Sequence, residues 1–94
     1  MTDKELFKMA ISEYGSVAQE RQAIEECAEL IQAISFKHRG REHNIEEEIA
    51  DVEIMLEQLK MINNCYDKVQ NIKAYKLKRL YHRIFNIRGA DNDG

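Results

Sequence analysis

From Ala23 to Ile34 the apolar residues Ala23, Ile24, Cys27, Leu30, Ile31 and Ile34 recur at steps of three and four. That spacing gathers them on one broad arc of an α-helix. Ile45, Ile49, Val52, Leu56 and Leu59 repeat the pattern. It predicts two adjacent core-facing helices. Their ends are marked by local chemistry. Thr2 with Glu5 has the spacing of a capping box and opens a first helix, which Gly15 stops near Tyr14. Ser16 with Gln19 opens the second, which runs to about His38 before Arg39-Gly40. Asn44 with Glu47 opens the third, to about Asn63-Asn64, and Asp67 with Gln70 opens the fourth, to about Asn86. Short breaks make sequential helices antiparallel, so the second and third form a hairpin around Arg39–His43. The expected fold is an all-α, antiparallel four-helix bundle-like domain over residues 1–86, with a polar, disordered tail over 87–94.

Some acids interrupt this pattern. At about 100° per residue, Glu48 falls inside the apolar arc of the third helix, beside Val52, Met55 and Leu59. Asp51 lies one i, i+3 step away, at the edge of the arc, whereas Glu46, Glu47, Glu53 and Glu57 read as solvated surface. On the second helix Glu26 and Glu29 make a similar i, i+3 pair beside Leu30 and Ala33. With a rise of about 1.5 Å per residue, an antiparallel hairpin puts Glu29 and Asp51 within about one turn in height, with Glu26 and Glu48 bracketing them. Acid runs on helices are usually solvated faces, and "EE" or "EEE" alone decides nothing. The two i, i+3 steps on neighbouring core-facing helices are what suggest four convergent carboxylates. Such a group needs a positive partner. Two readings stand at this point: a bound cation, or pairing with a basic helix.

Charge distribution is compatible with both readings. The formal net charge of −3 hides a division: residues 20–57 hold eleven acids against four bases, and residues 60–88 hold eight bases against Asp67 alone. No Lys or Arg on the second or third helix matches the four carboxylates. Oxygen-only ligands select a hard ion, Mg²⁺ or, as a substitute, Mn²⁺, and so point to phosphate chemistry. Ninety-four residues with 44% apolar content, no Pro and four Gly suit a small helical domain whose core is completed by oligomerisation. No apolar run is long enough to span a bilayer, the N-terminus lacks a signal-peptide core, and Cys27 and Cys65 form no disulfide framework. The expected location is cytoplasmic.

The order "EECAE" at 25–29 followed by "EIAD" at 48–51 is E-E-x-x-E … E-x-x-D. It resembles the MazG-like all-α nucleoside triphosphate pyrophosphohydrolase superfamily, which includes dimeric dUTPases and phosphoribosyl-ATP pyrophosphatase. The similarity continues through "DVEIML" and loosely into "KAYKLKRL", and is strongest to the short single-domain members of bacterial and phage genomes. The resemblance implies Mg²⁺-dependent hydrolysis of a (deoxy)nucleoside triphosphate between the α- and β-phosphates, cleansing the nucleotide pool, by a homodimer or homotetramer. It implies Glu26, Glu29, Glu48 and Asp51 as metal ligands. Glu25 is implied as a base for the attacking water or as a residue behind the ligands. Lys76 and Arg79 fall where related chains carry phosphate-contacting bases.

The remaining polar features are weaker signals. Lys73 projects into an apolar arc of Val69, Leu80 and Ile84, so a buried ammonium there would want a carboxylate or phosphate partner. Arg83 continues the Lys76–Arg79 stripe, with solvent or pairing to acidic helices as the plainer reading. The loop "KHRGREH" reads as an exposed basic tip, with nucleotide contact as its alternative. His38 and His43 lack zinc spacing with any cysteine. Cys27 reads as core, and Tyr14, Tyr75 and Tyr81 as packing aromatics rather than base stackers. Two rivals to the enzyme remain, a helical self-assembly module and a nucleic-acid binder. The acidic half and the lack of a helix-turn-helix pattern count against nucleic acid.

Overall fold

The computed structural model describes residues 1–85 as four helices and no strand: α1 (Asp3–Tyr14), α2 (Ser16–His38), α3 (Ile45–Ile62) and α4 (Tyr66–Phe85). The fold is all-α, as the periodicity predicts. The expected tail over 87–94 lies outside the described residues. Two compact units divide the chain, one from Met1 to Asn64 and one from Cys65 onward.

In the first unit, α2 and α3 form an antiparallel hairpin and α1 packs against both. The capping box at the start of α1 is complete. Thr2 Oγ1 accepts from the Glu5 N–H at 3.1 Å, and Glu5 Oε1 accepts from the Thr2 N–H at 2.8 Å. The Thr2 N–H, and after it the Thr2 side chain, favour the ionised carboxylate, so the Glu5 carboxyl is held below its ordinary range. Gly15 ends α1 at φ 91°, where a side chain would be strained, and its N–H donates to Ile11 O. It also serves as the N-cap of α2, so the Ser16–Gln19 capping box does not form. Asn44 does cap α3, but without a side-chain cap bond. The Gln19 amide is engaged instead by Gln58 of α3, and the Asn44 amide by Glu48 one turn along its own helix.

The seam between α2 and α3 differs from the apolar arcs. Its buried residues are Gln19, Ala23 and Ala33 on α2 and Glu48, Met55 and Gln58 on α3. Ile24 and Ile31 are 70% and 68% exposed, and Ile34, Ile49, Leu56 and Cys27 are exposed as well. The expectation that these residues form the core, Cys27 included, is therefore corrected. On each helix the true seam lies about 100°, one residue, round from the centre of the large apolar residues. Alanines and amides let the two backbones approach where isoleucines would hold them apart. Because the helices are antiparallel, both apolar flanks fall on one face of the hairpin, with Glu29 and Asp51 toward the other.

The second unit is described through α4. No residue of this helix is buried. Val69, Ile72, Leu77 and Leu80 share a shallow apolar face with Lys73 and Lys76. Lys73 is exposed. The expected buried ammonium is thus absent, because the long lysine stem lies along the apolar face while its charge stays in water.

Candidate metal centre

Seam geometry follows from a constant antiparallel register. Gln19 Nε2 donates to Gln58 Oε1 at 2.7 Å, a buried side-chain bond between α2 and α3. Seven residues forward along α2 lead to Glu26, and seven back along α3 lead to Asp51; three further steps lead to Glu29 and Glu48. Glu26 and Asp51 are within hydrogen-bonding reach of each other, and so are Glu29 and Glu48. Carboxylate oxygens of Glu26, Glu29 and Glu48 all lie within 4.8 Å of one another. Four acids from two helices thus converge, with Asp51 joined through Glu26.

Two of these acids are held in the same way. Gln22 Nε2 donates to Glu26 Oε1 at 2.8 Å, and Asn44 Nδ2 donates to Glu48 Oε1 at 3.0 Å. Each amide sits four residues ahead of its glutamate, one helical turn away. In both glutamates the second oxygen, Oε2, is buried and has no hydrogen-bond partner. In each glutamate one oxygen is thus fixed by a neutral donor while the other stays unpartnered. Glu48 as a whole is only 5% exposed.

Burial is the main reason that the Glu48 carboxyl is pushed above the ordinary glutamate range. Its contact with Glu29 and the charges of Glu29, Asp51 and Glu26 push the same way. Glu26 is also raised, first by burial, against the lowering bond from Gln22, with Asp51 and Glu29 adding to the rise. Carboxylates this close must share a proton or a cation. The ion pair of Lys60 with Glu57, at 2.6 Å, involves none of the four. An oxygen-only donor set of buried, part-buried and exposed acids fits Mg²⁺ or Mn²⁺, which keep some water and favour carboxylates.

The other residues singled out in the sequence lie elsewhere. Glu25 is exposed and is not among the converging carboxylates. Lys73 and Lys76 are exposed on α4, and Arg79 is half-buried with its guanidinium 5.8 Å from the centre of the Tyr75 ring. At the hairpin tip Arg41 stacks over Phe36 at 4.6 Å, and His43 Nδ1 accepts from the Ile45 N–H at 3.4 Å. Both contacts tie down the loop itself. Sequence reasoning missed Gln22 and Asn44. The signal was present, since an amide one turn before each inward glutamate is visible in the chain, but Asn44 also suits a helix cap.

Comparison of the chain with protein families, with curated proteins and with solved structures finds no match.

Proposed function

We propose that this protein is a Mg²⁺-dependent nucleoside triphosphate pyrophosphohydrolase of the MazG-like type, acting on a (deoxy)nucleoside triphosphate to give monophosphate and pyrophosphate. The observation that carries the reading is Glu48. Its carboxylate is buried, one oxygen has no partner, and three further acids crowd the same point of the seam. A protein gains nothing in stability from such an arrangement unless a cation completes it. The substrate class is supported by the E-E-x-x-E … E-x-x-D order, whose last two acids and last two glutamates of the first triplet are these same residues.

Glu26, Glu29 and Glu48, with Asp51 beside Glu26, would hold the ion. When bound, Mg²⁺ or Mn²⁺ neutralises charge on phosphoryl oxygens and activates water for attack at phosphorus. Gln22 and Asn44 orient the ligating glutamates by fixing one oxygen of each. Glu25, exposed on α2, is assigned to orient or deprotonate the attacking water, and Lys76 and Arg79 to pair with phosphate oxygens. Lys73, with its charge in water, takes the same role at the edge of that stripe. Attack at the α-phosphorus consumes one water and releases pyrophosphate, so no protein nucleophile is needed.

A second reading, self-assembly through the hairpin's apolar face, is favoured by the exposure of Ile24, Ile31, Ile34, Ile49 and Leu56. It is compatible with the first: a homodimer or homotetramer would cover these residues. Among the described residues no helix is long and apolar enough to cross a membrane, and the proposed site of action is the cytoplasm. The deciding experiment is pyrophosphate release from a panel of canonical and damaged nucleoside triphosphates with Mg²⁺. Release that Glu48→Gln abolishes is expected. No release across the panel would leave assembly as the function.

A further inference from the structure

The hairpin seam poses a problem that the metal centre does not solve. Antiparallel helices normally lock their relative height by interdigitating large apolar side chains. Here the buried positions are two alanines, one methionine, two glutamines and a glutamate. Alanines are small and alike, so they permit sliding. Methionine is flexible and specifies little. When ionised with no cation present, the four carboxylates repel one another, which favours any displacement that separates them. One contact in the seam is both buried and directional: the 2.7 Å bond from Gln19 Nε2 to Gln58 Oε1. Gln58 Nε2 turns back to Met55 Sδ at 3.8 Å, within its own helix.

We propose that Gln19 and Gln58 are positioning residues whose amide–amide bond sets the height of α2 against α3, and so sets the apposition of Glu26 with Asp51 and of Glu29 with Glu48 on which ion affinity depends. The proposal rests on the reading of the four acids as a metal site. Its geometry is a matter of register. The two amides are opposite each other, and the same seven-residue and three-residue steps lead from them to both carboxylate pairs. A slide by one helical turn, about 5.4 Å, strands both buried amides and carries Glu26 past Asp51. A single buried polar contact can thus choose one register among several of similar apolar content, as a lone polar residue does in a coiled-coil seam. The amides lie about 10 Å from the nearest carboxylate pair, seven residues at 1.5 Å each. They act on the ion only through the helices.

The test replaces both amides at once by unbranched apolar side chains of similar length, Gln19→Met with Gln58→Met, so that no buried amide is left unpaired. Gln19→Leu with Gln58→Leu serves as a second version should the first fail to fold. Two quantities are read. Register in the metal-free protein comes from nuclear Overhauser contacts between the methyl groups of Ala23 and Met55, which neighbour the glutamine pair. Ion affinity comes from titration with Mn²⁺. The double variant is expected to stay helical, to lose or average the wild-type α2–α3 contacts, and to bind Mn²⁺ at least tenfold more weakly. Unchanged contacts would overturn the proposal, whatever the Mn²⁺ affinity. Altered contacts with Mn²⁺ affinity within twofold of wild type would overturn it too. If the wild-type protein itself binds no Mn²⁺, the metal reading falls, and the register contacts alone decide whether the amides position the helices.

Discussion

Adding Mg²⁺ or Mn²⁺ should raise the melting temperature of this protein, and Glu48→Gln should remove that rise. Glu48 is the informative position because it is the most buried of the four acids and its Oε2 has no other partner. Glutamine keeps the shape and still accepts from Asn44 Nδ2, so the fold is spared while a ligand charge is lost. A ligand that binds only the folded state at a hundred times its dissociation constant stabilises by about 2.7 kcal/mol. For a unit the size of Met1–Asn64, each kcal/mol moves the midpoint by about 4–8 °C. The expected rise is therefore about 10–20 °C for wild type and close to none for Glu48→Gln. The pH dependence adds a signed check. Burial raises the Glu26 and Glu48 carboxyls in the folded state above their unfolded value. The folded metal-free protein thus holds protons more tightly than the unfolded chain. Their contribution is fully present below the ordinary glutamate value, about 4.3, and is lost as pH rises through the higher folded values. Saturating Mg²⁺ should reverse the trend, since the ion binds the deprotonated acids. Thermal melts followed by circular dichroism across pH 4 to 8, with Mg²⁺ or with a chelator, read all of this. An equal metal-induced rise in Glu48→Gln, or a metal-free protein that gains stability from these two groups as pH increases, would refute the reasoning.

Three further outcomes are expected. Glu25→Gln, at an exposed position outside the converging acids, should leave the metal-induced rise intact and slow pyrophosphate release by about 100-fold, the scale of a lost general base; steady-state kinetics beside thermal melts would read both. Lys76→Ala with Arg79→Ala should raise the KM for the triphosphate about tenfold or more with the metal-induced rise unchanged, and an unaltered KM would remove both residues from the phosphate site. Ile24→Asp with Ile31→Asp, which places charges on the most exposed part of the apolar face, should convert an oligomer to a monomer by light scattering while circular dichroism keeps its helical signal. A mass that does not fall would move the interface elsewhere.

Much of this molecule is legible along the chain, because helices and their ends are local matters. The capping box of Thr2 and Glu5, the stop at Gly15 and the three-and-four spacing from Ala23 to Ile34 need only neighbours within a turn or two. Placing Glu26, Glu29, Glu48 and Asp51 together required one further step, an antiparallel return through a short loop, which the loop length itself implies. What local reasoning could not supply is the rotation of each helix about its own axis. Ranking residues by hydropathy turns Ile24, Ile31 and Leu56 inward, yet the hairpin closes on Gln19, Ala23, Ala33, Met55 and Gln58. That choice is made between residues 39 apart, by how closely two backbones can approach and which buried amides find partners. Asn44 belongs to the same lesson, since whether its amide caps α3 or steadies Glu48 depends on what stands opposite. Periodicity decides that a segment is a helix and which side chains share a sector. Which sector is buried is settled only when two helices meet, because packing and hydrogen-bond satisfaction are properties of the pair.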